Sequence, residues 1–223
     1  METSARYDGL ADWYDENLRT FTLGSSGVLR ALLGHGHGRC LDLGCGSGLH
    51  FEDLLALGWT VTGVDVSEDQ LRLARRRAEG RVELVLADAA SVPFPDGSFD
   101  AVASVFLHTD LSDYPLVLRE TARVLRAGGR LVHLGLHPCF VGPFSRYQGP
   151  DAPPLLFSGY RNTDWTNDAP GFGEGLRRIV GSYHVPLADL QNALVAAGFR
   201  LDRFEEPVGH EFPRVLAIAA TRA

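Results

Sequence analysis

"RCLDLGCGSGLH", residues 39–50, decides the fold. Leu41 and Leu43 read as the end of a buried strand. Glycines follow at alternate positions, Gly44, Gly46 and Gly48. Without side chains, the backbone there can touch a ligand, and the N–H groups that open the next helix can receive a carboxylate or phosphate. Asp42 places an acid just upstream.

The flanking sequence repeats one unit. "SGLHFEDLLALG" (47–58) reads as a helix capped by Ser47 and closed by Gly58. "WTVTGVD" (59–65) is rich in strand formers and ends in Asp65. "SEDQLRLARRRAEG" (67–80) is a second capped helix, with Ser67 as N-cap and Gly80 as stop, and "RVELVLAD" (81–88) is a strand ending in Asp88. Further strands are expected in "FDAVASVFLH", with an end near Ser104, and in "RLVHLGL", with a helix over 112–126 between them. Earlier, residues 10–18 and 25–33 read as helices. Later, "PLADLQNALVAAGF" reads as a helix, and "FRLDRFEE" and "RVLAIAATR" as strands. Strands separated by helices signal βαβ units and a parallel sheet. Residues 137–185 break the pattern. They are rich in glycine, proline and aromatic residues, which points to an ordered cap that carries function.

Ligands of open parallel sheets bind beyond the carboxyl ends of the strands. Asp65 lies 21 positions after Gly44, where an acid can grip both hydroxyls of a ribose. Asp88 ends the third strand, where it can accept from an exocyclic amino group. The glycine spacing is G-x-G-x-G rather than the dinucleotide G-x-G-x-x-G/A, because Leu49 holds the last position. Asp42 would repel a pyrophosphate but attract an ammonium group. A ligand with adenine, ribose, amine and carboxylate and no phosphate fits, and S-adenosyl-L-methionine meets that description.

Composition narrows the class. The chain has 223 residues, 45% of them hydrophobic, enough for one domain with a full core. The formal charge of −7 argues against a large nucleic-acid surface. The basic run Arg72–Arg77 falls in a helical pattern and reads as a solvated face. Three cysteines without a C-x-x-C fit a reducing compartment. The expected partner is a small-molecule acceptor, with no nucleic acid, membrane or metal. The expected setting is cytoplasmic, as a monomer or homodimer.

"LDLGCGSG", "VTGVDVS", "LADAASVPFPDGSFD" and "VLRAGGRLV" together resemble the motifs of class I S-adenosylmethionine-dependent methyltransferases, within the small-molecule, ubiquinone-biosynthesis-like group. That resemblance implies a three-layer Rossmann-like α/β fold. Its seven-stranded, mostly parallel sheet runs 3-2-1-4-5-7-6 with strand 7 antiparallel. A helical lid (1–34), a cofactor core (35–136), a cap (137–185) and a C-terminal helix with strands (186–223) would make up one domain. It also implies that Asp42 and the Gly44, Gly46 and Gly48 loop hold the methionine part, Asp65 with Val66 the ribose, and Asp88 with Ala89 the adenine. Ser104 would lie beside the cofactor. Tyr7 and Tyr14, in "YDGLADWYDE", would close over the sulfonium.

Methyl transfer demands alignment, exclusion of water and, for a protic acceptor, a base. His108, which follows strand 4 in "HTD", His137 in "GLHPCF" and His184 in "GSYHVPLADL" are the base candidates. The expected activity is methylation of O, N or C on a hydrophobic metabolite, with S-adenosyl-L-homocysteine as the product. Two alternatives stand beside it: a non-methylating step such as cyclisation on the same scaffold, and a non-enzymatic binding module. RNA methylation is disfavoured, because "SVFLH" stands where an N/D-P-P-[YF] motif would.

Overall fold

The computed structural model describes residues 6–223. Two helices lead, α1 (Ala11–Leu23) and α2 (Ser26–Leu33). They are followed by β1 (Arg39–Leu43), α3 (Phe51–Ala56), β2 (Thr60–Asp65), α4 (Glu68–Ala78), β3 (Glu83–Leu86) and β4 (Phe99–Val105). A single 3-10 turn, His108–Asp110, leads to α5 (Tyr114–Val124) and β5 (Leu125–Leu136). The cap contributes the short strands β6 (Ser145–Arg146) and β7 (Leu155–Leu156) and the helix α6 (Leu176–Val180). The chain closes with α7 (Leu187–Ala196), β8 (Phe199–Glu205) and β9 (Val215–Arg222).

The main sheet runs β3-β2-β1-β4-β5-β9-β8, and β6 pairs with β7 apart from it. β1 to β5 are parallel to one another, and β9 is antiparallel to both β5 and β8. Counting main-sheet strands alone, this is the expected 3-2-1-4-5-7-6 order with an antiparallel seventh strand. Alternation along the strands builds the three layers. Cys40, Val61, Ala101 and Val132 pack with α2, α3 and α4 on one face. Leu41, Leu43, Val102 and Leu131 pack with α5 and α7 on the other.

Register carries the sheet's acids to one edge. Asp42 pairs with Gly63 and Ala103, Leu43 with Val64, and Asp65 with Leu86. Asp65 therefore lies one residue beyond β1's last partner, beside the start of the glycine turn. Ser67 caps α4 as expected: its side chain accepts from the Gln70 N–H at 3.2 Å. Ser47 does not cap α3. The helix starts at Phe51 after His50, and the Ser47 hydroxyl instead donates to Asp15 on α1 at 2.8 Å. β5 reaches back to Leu125, so Gly128 and Gly129 lie within the strand.

The basic run of α4 is not merely a solvated face. Arg72 reaches Asp12 at 2.5 Å, and Arg77 reaches Asp15 at 2.5 Å and the Ser47 carbonyl at 2.5 Å. Asp69 receives the backbone N–H groups of Gly9 and Ala11. α1 is thus fastened across the carboxyl edge of the sheet by charge. No helix among the described residues is long and apolar enough to cross a membrane.

Candidate active site

Two cavities meet above that edge. The first, about 320 Å³, is lined by Asp42, Gly44, Gly46, Asp65, Val66, Asp88 and Ala89 among others. Gly44 and Gly46 have φ of +71° and +52°, which glycine alone adopts without strain. A Cβ on Gly44 would also come within 2.7 Å of the Leu107 side chain. The loop therefore brings bare backbone to the cavity wall.

Asp65 is held rigidly. Its two oxygens accept from the backbone N–H of Gly46 at 2.8 Å and of Ser67 at 2.9 Å. Burial raises its pKa despite these bonds. Asp42, 3% exposed, is pushed up to about 6, first by burial and further by Asp65, with His50 opposing. Two crowded carboxylates of this kind favour a cationic ligand. Asp88 accepts from the Ala90 N–H at 2.9 Å, a turn contact that fixes its orientation.

Two expected contacts fall elsewhere. Gly48 lines neither cavity; with φ at +79°, a Cβ there would meet the Phe51 ring at 2.3 Å, so it is a packing glycine. Ser104, 3% exposed, also lines neither cavity and lies in the sheet interior. Sequence reasoning missed Gln70 and His50. Both line the first cavity, and each has a buried polar atom, Oε1 of Gln70 and Nε2 of His50, without a partner. Gln70's only sequence signal was its place three residues into a capped helix.

The second cavity, about 400 Å³, is walled by α1 and the segment before it, the turn after β4, the cap and Arg214 just before β9. Tyr7, Tyr14, Phe106 and Tyr183 line both cavities and form their junction. Tyr7 and Tyr14 meet edge to face at 5.5 Å. Burial raises both phenol pKa values, so each is a neutral hydrogen-bonding group. The Tyr7 hydroxyl donates to Asp110 at 3.1 Å. Asp110 is paired on its other oxygen with Arg177 of α6 at 2.5 Å. Arg177 also donates to Thr109 Oγ1 at 2.9 Å and the Gly181 carbonyl at 3.0 Å, joining lid, turn and cap.

Of the base candidates, His108 and His184 line this cavity and His137 does not. His137 has both ring nitrogens engaged, Nε2 with Glu206 at 2.9 Å and Nδ1 with the Cys139 N–H at 3.1 Å, which makes it a loop fastener. His108 Nδ1 and His184 Nε2 are buried without partners. Behind His108 stands His133, its Nδ1 2.8 Å from the Tyr114 hydroxyl and its ring 5.1 Å from that of His108.

These three buried histidines make stability sensitive to acid. Burial holds His133 and His184 at about 4 and His108 well below its ordinary value. In the unfolded chain each titrates near the usual ~6.5. The unfolded state therefore binds more protons across that interval. Stability contributed by the neutral rings is complete above about pH 6.5 and is lost as pH falls toward 4. Asp42 and Asp65, raised by burial, act in the opposite sense, but they are two groups against three. The thermal midpoint is expected to fall as the buffer is taken from roughly pH 7 to pH 5. A flat profile would show that these rings are not buried neutral.

Residues 41–133 match the family model described as a methyltransferase domain. Among curated proteins, the chain is similar to the demethylmenaquinone methyltransferase of Thermus thermophilus, at 43% identity over 115 residues, covering 48% of this chain and 50% of the relative. It is also similar to methyltransferase GfsG of Streptomyces halstedii, at 44% over 102 residues, covering 43% and 36%. The chain spans about half the length of the first of these relatives and less of the second. Among solved structures, the S-adenosylmethionine-dependent methyltransferase of Mesorhizobium loti superposes with a TM-score of 0.73 at 24% identity, covering 96% of this chain and 99% of that one. This last likeness shows the fold.

The first cavity fits the cofactor of that class on its own chemistry. It offers a glycine turn free of side chains, the buried Asp42 and half-buried Asp65 carboxylates, and the unpartnered Gln70 and His50 atoms.

Proposed function

We propose that this protein transfers a methyl group from S-adenosylmethionine in the first cavity to a small hydrophobic acceptor in the second. One observation carries the reading: an acidic, glycine-walled cavity and an aromatic one lie side by side and share Tyr7, Tyr14, Phe106 and Tyr183 in their walls. Two sites that share a wall suit a displacement that needs donor and acceptor in line.

When bound, S-adenosylmethionine supplies a methyl group already activated on a sulfonium. The chain's residues do the rest. Asp42 and the Gly44–Gly46 backbone receive the amino acid end, Asp65 beside Val66 the ribose hydroxyls, and Asp88 with Ala89 the adenine. Tyr7 and Tyr14 cover the junction and exclude water. His108 and His184, neutral at physiological pH, are placed to accept a proton from a protic acceptor. The cap's Phe140, Phe172 and Leu176 supply the apolar wall that selects a hydrophobic ligand.

The test is calorimetric and chemical. Asp65→Ala removes a half-buried, pre-aligned carboxylate and is expected to weaken S-adenosylhomocysteine binding by roughly 1.5–3 kcal/mol, as for other charge-assisted bonds. An unchanged affinity in a folded variant removes Asp65 from the site. Mass analysis of products from an acceptor screen then decides the reaction, because methyl transfer adds one carbon and a cyclisation adds none.

A further inference from the structure

Of the charged side chains that line the second cavity, Arg177 is ion-paired, while Glu174 and Arg214 have no ion-pair partner among the described residues. Arg177 is paired with Asp110. Glu174, on the cap, is exposed to solvent. Arg214, immediately before β9, has no ion-pair partner among the described residues, and its Nε is shielded from solvent with no hydrogen-bond partner. The guanidinium carbon lies 4.4 Å from the Tyr147 ring centre and 4.9 Å from that of Phe21. Both rings line the cavity, as does Arg214 itself.

Two aromatic faces offset part of the cost of taking a cation out of water, but they leave its N–H donors unused. A planar guanidinium with free donors matches a carboxylate, which can accept two of them at once. The backbone fixes the group's place: the Arg214 carbonyl accepts from the His137 N–H at 2.8 Å, joining the start of β9 to the end of β5. Phe21, under the guanidinium, stacks on Phe106 at 5.1 Å, and Phe106 belongs to the junction between the cavities. An anion on Arg214 thus lies one ring away from where the methyl group arrives.

We propose that the acceptor is an aromatic carboxylic acid and that Arg214 receives its carboxylate at the end remote from the methylated atom. The inference rests on the second cavity being the acceptor site. It makes Arg214 a specificity residue. The surrounding rings supply stacking for any flat ligand, and the guanidinium distinguishes the acid from its neutral analogues.

The experiment measures binding of 2-naphthoate and 2-naphthamide to the full chain saturated with S-adenosylhomocysteine. The acid is expected to bind about 10–100-fold more tightly than the amide, the range of one charge-assisted pair. Arg214→Gln should abolish that preference while leaving amide binding in place, and Arg214→Lys should keep part of it. Equal binding of acid and amide by the native chain, binding of neither, or a preference that survives Arg214→Gln overturns the proposal. S-adenosylhomocysteine affinity, measured on the same samples, keeps the two readings apart. Its absence in the native chain would overturn the methyltransferase function, whereas its presence with no acid preference overturns only the role of Arg214.

Discussion

His108→Ala and His184→Ala are expected to differ sharply in turnover on a hydroxyl acceptor: one falls on the order of 10²–10⁴-fold and the other changes little. Both rings line the second cavity with an unpartnered nitrogen, but their supports differ. His108 stands before His133 and Tyr114 in the sheet interior, whereas His184 is wedged between Phe144 at 4.9 Å and Tyr160 at 5.2 Å. The variant that loses a base should recover part of its rate at high pH, where the acceptor arrives already ionised. A ring that serves only as a wall gives no such recovery. Cofactor affinity should hold in both, because neither ring lines the first cavity. The measurement is turnover across pH with the identified acceptor. Native rates in both variants would mean that alignment alone suffices, and the histidine role would be abandoned.

Arg177→Met is expected to cost the most stability of any single change at the site. The pair it forms with Asp110 is largely shielded, with side-chain exposures of 21% and 16%. Removing the cation leaves the Asp110 carboxylate with only the Tyr7 hydroxyl and strips Thr109 and the Gly181 carbonyl of their donor. Breaking a buried pair from one side costs about 3–5 kcal/mol when fully desolvated, and partial exposure here reduces that to roughly 2–4. For a chain of this size, the thermal midpoint should fall by roughly 5–15 °C. The double change Arg177→Met with Asp110→Leu should recover much of the loss, because the orphaned charge is then gone. Calorimetric unfolding of the three proteins decides it. A single variant as stable as the native chain would show that the pair contributes nothing.

The sheet was legible because its signals are local. Each strand-end acid sits within a few residues of the turn that aims it, so Asp42, Asp65 and Asp88 were readable along with Gly44 and Gly46. The same locality misled at Gly48 and Ser47. Spacing alone cannot show that a glycine yields to Phe51 or that a hydroxyl is drawn to Asp15, 32 positions earlier. The second cavity was legible only in part: the aromatic cap, Tyr7, Tyr14, His108 and His184 were readable, but how the segments meet was not. Its walls come from segments as distant as Phe21, Phe106, Tyr147, Tyr183 and Arg214, and nothing in their spacing announces that they meet. His137 looked equivalent to His108 and His184, because all three follow an ordered element into a loop. Its partners, Glu206 69 positions away and the Cys139 N–H, separate it from them.

The fastening of α1 has a consequence for exchange between the cavities and solvent. Its charged contacts with α4 include Arg72–Asp12, which lies at the surface, while Arg77–Asp15 is partly shielded. Surface attractions weaken over a screening length of about 8 Å at physiological salt, and shielded ones much less. The helix therefore has a loose strap and a firm one, and dissolved ions act mainly on the loose strap. On the proposed function, salt is therefore expected to speed the dissociation of S-adenosylhomocysteine, and a release rate that does not change with ionic strength would show that the α1 contacts do not control it.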